Sequence, residues 1–341
     1  MRGILEKYFN HLWYSSSWQY RLWAPLESFY IRAVNEKRKA YRESEKTSRD
    51  VPILIVGNIT VGGTGKTPVV IYLVEELRKA GLRVGVISRG YGGNSDRYPY
   101  LVEANSHVRE AGDEPLLIVK RTGAPLVVDP NRIEAYNFLV NTHDLDVVIS
   151  DDGLQHYTLP RDIELVVLDA SRAVGNGRCL PAGPLREPLD RLAGVDFLLS
   201  NGDPGDALKS LKLPDSLAIA PFTLEPKLLH QAGNAEHEIP LNGLQREVFG
   251  VAAIGNPKRF FNTLSQLGYR VEPIEFPDHY AYSQKDFEKL KGKPIITTEK
   301  DAVKMQGIHV ESLWVLRVVL KTNPQLIDAI LSRIQTYNTS S

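Results

Sequence analysis

The sequence predicts an α/β protein: a parallel sheet covered by helices, a second and smaller α/β domain after it, and an amphipathic helical segment in front. Three observations predict this. From residue 50 onward, short and nearly uninterrupted β-branched runs alternate with helical periodicities, the pattern of strands buried on both faces. A glycine-rich stretch, Asn58 to Thr67, separates the first of those runs from a helix. The first 50 residues differ from everything that follows, with three of the four tryptophans and a basic excess.

A chain of 341 residues is long enough for about two domains, each with its own core. It carries 41 basic and 41 acidic residues, a balance that gives no reason to expect a nucleic-acid partner. One cysteine, Cys179, excludes an internal disulfide framework and a cysteine-built zinc site, and it fits a reducing compartment.

The zero net charge hides an asymmetry. Residues 1–50 hold ten Lys/Arg against six Asp/Glu, a net +4 balanced by −4 in the rest of the chain. In this segment Ile4, Leu5, Tyr8, Phe9, Leu12 and Trp13 recur at helical spacing. After Ser15 to Ser17 and Pro25 a second stripe follows, Leu26, Phe29, Tyr30, Ala33 and Val34. Charges at Glu6, Lys7, Arg21, Glu27 and Arg32 interrupt any run of the ~18 apolar residues that a membrane span needs. No apolar core with a small-residue cleavage site follows the start, so the segment does not read as a signal peptide. Aromatic amphipathic helices followed by the basic stretch Lys37 to Arg49 suit the headgroup layer of an anionic leaflet. The alternative is a helical pair packed on the protein's own core.

Val51 to Gly57 reads as the first strand, and Val69 to Lys79 as the helix after the glycine-rich stretch, closed by Gly81. Leu82 to Ser88, Ala124 to Val128, Asp146 to Ser150 and Glu164 to Asp169 are further strands. A second series begins near residue 215, with strands Val248 to Ile254, Pro294 to Thr298 and Leu313 to Leu320 and helices Pro257 to Leu267 and Asn323 to Tyr337. Asn201 to Gly205 and Leu224 to Gly243 are the boundary candidates. The expected domains are therefore 1–45, a membrane-associated helical segment; 46–214, a nucleotide-binding domain; and 215–341, a second α/β domain with linker strands and a C-terminal helix.

Thr60-Val61-Gly62-Gly63-Thr64-Gly65-Lys66-Thr67 ends in the Gly-Lys-Thr of a P-loop and lies between a strand and a helix, the context that motif requires. Thr60 stands where the first glycine usually stands. Gly62 and Gly63 still let backbone approach phosphates, Lys66 would reach the β- and γ-phosphates, and the Thr67 hydroxyl would ligate Mg²⁺. A metal-holding acid is expected at the end of a neighbouring strand, and Val147 to Ser150 runs into Asp151-Asp152. The first domain is thus P-loop NTPase-like. These features say only that a nucleoside triphosphate is bound.

Six motifs then occur in one order: Gly57-Asn58 with Gly62 to Pro68; Ser88-Arg89-Gly90-Tyr91-Gly92-Gly93; Gly112-Asp113-Glu114-Pro115; Asp151-Asp152-Gly153-Leu154-Gln155-His156; Pro181-Ala182-Gly183-Pro184-Leu185-Arg186-Glu187; and Thr298-Glu299-Lys300-Asp301-Ala302. The sequence resembles the tetraacyldisaccharide 4′-kinase (lipid A 4′-kinase) family of Gram-negative bacteria, from the N-terminal segment to about residue 304. The resemblance implies transfer of the γ-phosphate of ATP, with Mg²⁺, to the 4′-hydroxyl of a tetraacylated glucosamine disaccharide 1-phosphate. It also implies a peripheral place on the anionic cytoplasmic face of the inner membrane, with the lipid A precursor as partner; no nucleic acid and no obligate protein partner is expected.

On the matched positions, Arg186 is the expected γ-phosphate clamp and Arg132 a second. Glu187 and Asp151 look like metal-shell carboxylates. The acceptor hydroxyl must lose a proton, for which a carboxylate with a pKa raised toward neutrality suits; by resemblance this is Asp113, supported across an interdomain cleft by His279. Glu114, Asp152, Gln155 and His156 are expected on the substrate side. Arg89 and Tyr91 read equally as a turn or as contacts to sugar or phosphate. The resemblance leaves room for Leu217 to Phe222 and Leu313 to Leu320 to pair as a linker. Two rival readings are weaker. A partition-type ATPase would carry an extra lysine where Val61 stands, and guanine recognition would need a residue between Lys300 and Asp301.

Overall fold

The computed structural model describes residues 2–15, 18–43, 49–203, 205, 213–214 and 217–340. In chain order the helices are α1 (Arg2–Tyr14), α2 (Ala24–Glu43), α3 (Lys66–Lys79), α4 (Val108–Ala111), α5 (Asp113–Thr122), α6 (Arg132–Thr142), α7 (Pro257–Gln266), α8 (Glu299–Ala302) and α9 (Gln325–Ser340). The strands are β1 (Ile53–Gly57), β2 (Val84–Ser88), β3 (Tyr100–Val102), β4 (Leu126–Val128), β5 (Val147–Asp151), β6 (Ile163–Asp169), β7 (Phe197–Asn201), β8 (Ala218–Gln231), β9 (Asn234–Ile239), β10 (Glu247–Ala252), β11 (Arg270–Glu275), β12 (Ile295–Thr298) and β13 (Leu313–Thr322).

The chain folds into two compact units, and neither is a continuous stretch. The first comprises residues 1–89, 129–223 and 322–341, and the second residues 90–128 and 224–321. The expected boundaries ran along the chain at 45 and 214, whereas the contacts group residues 90–128, α5 among them, with the C-terminal half. Asp113 and His279 therefore belong to one unit, and the expectation that a cleft separates them is corrected.

In the first unit the strand order is β8-β7-β6-β1-β5-β2. These strands pair in parallel, with Ile53 opposite Val148, Leu54 opposite Ile163 and Leu165 opposite Phe197. β1, β2, β5, β6 and β7 are buried along their whole length, which is why their sequences are apolar without alternation. The Gly65 φ of +96° opens α3, and the helix closes two residues before Gly81, whose φ is +91°.

α1 and α2 are held by this unit through one face each. Leu12 is wholly buried, the Trp13 indole donates to the Pro181 carbonyl at 3.0 Å, and the Tyr30 hydroxyl donates to the Arg186 carbonyl at 2.8 Å. Buried Glu27 accepts from the Cys179 backbone at 2.8 Å and from Arg178 at 3.2 Å. An open surface remains on α2 and on the 3₁₀ helix Trp18–Trp23 between α1 and α2: Trp18 and Leu22 of the 3₁₀ helix are 65 and 68% exposed, and Leu26 and Phe29 of α2 52 and 70%. Both readings of the segment thus have a physical basis here. No helix among the described residues is long and apolar enough to cross a membrane. The stripe residues Ile4 and Leu5, and part of the basic stretch between Arg42 and Lys46, have side chains outside the described residues.

In the second unit the order is β11-β10-β12-β13-β8, with β9 antiparallel to β8 and β3 antiparallel to β4. Two apolar clusters flank this sheet. Val248, Leu264, Ile296 and Trp314 lie in one, and Phe249, Val251, Ile295 and Phe287 in the other. The side chains alternate between clusters because successive strand residues point to opposite faces. β11 escapes the sequence reading because its even polar and apolar residues, Arg-Val-Glu-Pro-Ile-Glu, are those of an edge strand.

Candidate active site

The glycine-rich loop follows β1 directly, and its return is braced from below by the Gly183-Pro184-Leu185-Arg186 stretch. The Val61 amide donates to the Pro184 carbonyl at 2.9 Å, the Arg186 amide donates to the Ile59 carbonyl at 2.6 Å, and Thr60 bridges Leu185. Fully buried Asn58 adds a 2.6 Å bond to the Thr60 carbonyl, which fixes the turn where the usual first glycine is missing. The Asn201 amide donates to the Thr64 carbonyl at 3.3 Å. Thr60 to Gly65 thus form a preshaped backbone cradle ahead of the positive end of α3, with Lys66 and Thr67 in its first turn.

Around the cradle the predicted cations converge. Lys66 Nζ lies 3.5 Å from Asp152 and Arg186 lies 3.3 Å from the other oxygen of the same carboxylate. Burial would raise the Asp152 pKa, but Lys66 and Arg186 outweigh it and hold the group below the usual carboxylate range. Asp152 takes a left-handed backbone, φ +49°, an uncommon conformation that its short polar side chain tolerates. Gln155 links two motifs by donating to the Asn58 carbonyl at 3.0 Å and to Glu187 at 3.1 Å.

Arg132 is 2% exposed and donates to the backbone carbonyls of Asp129 and Asp151 at 3.3 and 3.1 Å. Burial brings its pKa down to about 10, so it stays a cation at neutral pH. His156 is lowered as well: burial, then Arg132, Arg161 and Arg89, bring it to about 4, which leaves a neutral imidazole at neutral pH. Arg89 is exposed at the end of this unit's β2.

The expected metal ligands divide. Thr67, in the first turn of α3, and Asp151, at the end of β5 beside β1, offer hard oxygen donors of the kind magnesium takes. Glu187 is fully buried; one oxygen accepts from Gln155, and the other accepts from the Tyr157 hydroxyl and faces Arg191 Nε at 3.5 Å. Its oxygens are occupied by protein, which fits a brace better than a ligand. Among the described residues no three His, Cys, Asp or Glu side chains converge to hold a metal by themselves. A magnesium ion that keeps waters and phosphate oxygens needs only one or two carboxylates.

Four of the predicted site residues, Tyr91, Asp113, Glu114 and His279, belong to the second unit. Gly93 lies so close to the start of α5 that a Cβ there would meet the Glu110 carbonyl and the Gly112 amide at 2.6 Å each, so the Arg-Gly-Tyr-Gly-Gly and Gly-Asp-Glu-Pro motifs are one packed feature. Asp113, 4% exposed, accepts from the Glu114 amide through Oδ1 at 3.0 Å and faces His279 Nδ1 through Oδ2 at 3.0 Å. The exposed Tyr91 ring stands edge-on to the His279 ring at 5.1 Å. His279, like Asp152, has a positive φ, +60°. Strained backbone of this kind persists where surrounding structure holds it and clusters at functional positions.

The expected electrostatics of Asp113 need correction. Its pKa lies below the ordinary carboxylate value, not raised toward neutrality: burial would raise it, but the His279 hydrogen bond and the charges of Lys300 and Lys304 win. Asp113 is ionised at neutral pH. Lys300, in the Thr-Glu-Lys-Asp-Ala motif, contacts Glu114 at 2.8 Å and lies 3.8 Å from Asp113, a role that its residue type and position alone do not signal. Tyr157 and Arg191 carried no sequence signal beyond standing next to His156 and four residues after Glu187.

A Gly-Lys-Thr cradle between a parallel strand and a helix, with strand-end carboxylates and two cations on one of them, defines a P-loop phosphotransferase. The family model described as tetraacyldisaccharide-1-P 4′-kinase matches residues 19–335, and the chain belongs to this family of kinases. It is 44% identical over 326 residues to the tetraacyldisaccharide 4′-kinase of Pseudomonas putida strain W619, covering 95% of this chain and 94% of that one. The Pseudomonas fluorescens SBW25 protein of the same name is 46% identical over 319 residues, 92% of each. A crystal structure of LpxK from Aquifex aeolicus in complex with ATP superposes with a TM-score of 0.78 at 30% identity, covering 92% of this chain and 99% of that one.

Proposed function

We propose that this protein transfers the γ-phosphate of ATP to the 4′-hydroxyl of a tetraacylated glucosamine disaccharide 1-phosphate, a step of lipid A assembly, at the cytoplasmic face of the inner membrane. The observation that carries the reading is the convergence of Lys66 and Arg186 on Asp152 beside the Gly-Lys-Thr cradle. It gathers two cations where a triphosphate would place its terminal charge. Family membership and the ATP bound by the Aquifex protein support the nucleotide.

In this reading Thr60 to Thr67 bind the phosphates through backbone N–H groups, Lys66 and Arg186 neutralise the γ-phosphate, and Arg132 stiffens the end of β5. Thr67 and Asp151 would hold magnesium, which supplies charge neutralisation on the phosphate oxygens when bound. Asp113 accepts the proton of the attacking hydroxyl, and His279 orients the carboxylate through its 3.0 Å contact with Oδ2. Arg89, Tyr91, Glu114, Gln155 and His156 are substrate-side contacts, Gln155 by fixing the loop and His156 as a neutral hydrogen-bonding group. Exposed Trp18, Leu22, Leu26 and Phe29, near the basic residues of α2, seat the enzyme on anionic lipid.

Purified protein with radiolabelled γ-phosphate ATP and tetraacyldisaccharide 1-phosphate in detergent should yield a labelled bisphosphorylated lipid on thin-layer chromatography. Label appearing only as inorganic phosphate would overturn the reading in favour of a switch ATPase.

A further inference from the structure

We propose that Lys300 is a positioning residue for the reaction, a charge held beside Asp113 that keeps this carboxylate ionised without occupying the oxygen that must receive the proton. The proposal rests on the reading of Asp113 as the base. Its observation is the division of contacts around one ammonium. Lys300 Nζ makes its hydrogen bond to Glu114, at 2.8 Å, and stands 3.8 Å from Asp113 Oδ2 and 3.9 Å from Asp278. At 3.8 Å it acts on Asp113 through charge, beyond hydrogen-bond reach. Oδ2 already faces His279 at 3.0 Å, so a second, direct bond from Lys300 would take up the lone pair on that oxygen that a general base needs.

The placement of Lys300 is fixed on both sides. Glu299 accepts from Arg121 at 2.6 and 2.8 Å, which ties α8 to the helix that begins with Asp113. Asp301, fully buried, accepts from the Ala253 amide at 3.2 Å and from the Tyr282 hydroxyl at 3.2 Å, and pairs with Lys304 at 2.7 Å. The Thr298 hydroxyl donates to it at 2.7 Å. The Thr-Glu-Lys-Asp motif thus spends its flanking acids on anchoring the backbone and leaves the lysine to face three carboxylates. The charged and titratable groups around Asp113 are Glu114 on α5, Asp278 and His279 on the loop before Tyr280, Lys300 on α8 and Lys304 in the turn after it. Three acids crowd this place, so removal of Lys300 leaves Asp113 facing two like charges, and its affinity for a proton rises.

The test is the pH dependence of kcat/KM for phosphate transfer in full-length wild type, K300M, K300R and D113N, with melting temperatures on the same preparations. K300M should move the acid limb of the profile upward by about one pH unit, the scale of one lost neighbouring charge, with the KM for ATP unchanged. K300R should restore a wild-type limb. Should K300M melt too low to assay, K300M/D278N compared with D278N should show the same upward shift, since it removes one repelling carboxylate with the ammonium. An unshifted limb in a folded lysine variant, with activity lost equally at every pH, would overturn the proposal and make Lys300 a structural tie. Full activity in D113N would instead overturn the base assignment, whatever the lysine variants do.

Discussion

Lys66 and Thr67 sit at the start of α3, and neither anchors a core. Lys66→Ala and Thr67→Ala should each lower turnover by orders of magnitude while melting within a degree or two of wild type. Kinase assays beside calorimetry check this, and near-normal turnover in either variant would remove the loop from the reaction. Asp113→Ala should lower kcat by about 10² to 10⁴, the usual range for general base catalysis, with ATP binding little changed. Because Asp113 and His279 share one 3.0 Å contact, the losses in D113A and H279A should be strongly sub-additive in the double variant. Multiplicative losses would show that the two act independently. His156 makes a pH prediction. Its folded pKa of about 4 lies below the ordinary 6.5, so the unfolded chain binds the proton more readily between those values. Its share of stability is complete above about pH 6.5 and is lost as pH falls toward 4. The drop in urea midpoint from pH 7 to pH 5 should be smaller in H156Q than in wild type, and the His156 ring signal should titrate near 4 by NMR.

At the scale of elements, α1, α2 and the 3₁₀ helix Trp18–Trp23 between them carry two separable properties on different residues. Leu12 is fully buried, and truncating such a side chain costs about 2 to 5 kcal/mol, so L12A should melt markedly lower yet still bind vesicles when folded. Trp18, Leu22, Leu26 and Phe29 face outward, and replacing all four with serine should leave the melting temperature nearly unchanged. The same variant should lose most co-sedimentation with anionic vesicles and lose more activity toward acceptor in bilayers than in detergent. Equal activity loss in both formats would reject the membrane role of this face. Deleting residues 1–45 would confuse the two effects, since it also removes the Trp13, Glu27 and Tyr30 bonds into the first unit.

At the scale of the whole molecule, the two units interleave along the chain, so cutting at a single point cannot yield either one intact. A fragment of residues 215–341 would keep His279 and Lys300 but lose α5, and with it Asp113, Glu114 and the Arg121 partner of Glu299. It should show reduced near-ultraviolet dichroism and rapid proteolysis. A chain joining 90–128 to 224–321 through a flexible linker should be the more protected. Equal protection of the two fragments would show that residues 90–128 contribute nothing to this unit's stability.

The buried parallel strands and the Gly-Lys-Thr loop were legible in the sequence because each is a local property. Strands covered on both faces must be apolar without alternation, and phosphate cradles need glycine and a helix start within a dozen residues. The six motifs likewise identified the family, since their order survives without knowledge of contacts. What the sequence could not determine was which segments pack together. Asp113 and His279 are separated by 166 residues, and only the placement of 90–128 with 224–321 brings them to 3.0 Å. Their electrostatics were decided at the same level. Residue type gives a carboxylate an ordinary pKa, and the motif gave it a role, but whether burial or cations win at Asp113 depends on Lys300 and Lys304 arriving from the far end of the chain. The two faces of α2 show the same division: the stripe was visible at 3.6-residue spacing, but tertiary packing chose which aromatic rings the protein covers and which it leaves to its surroundings.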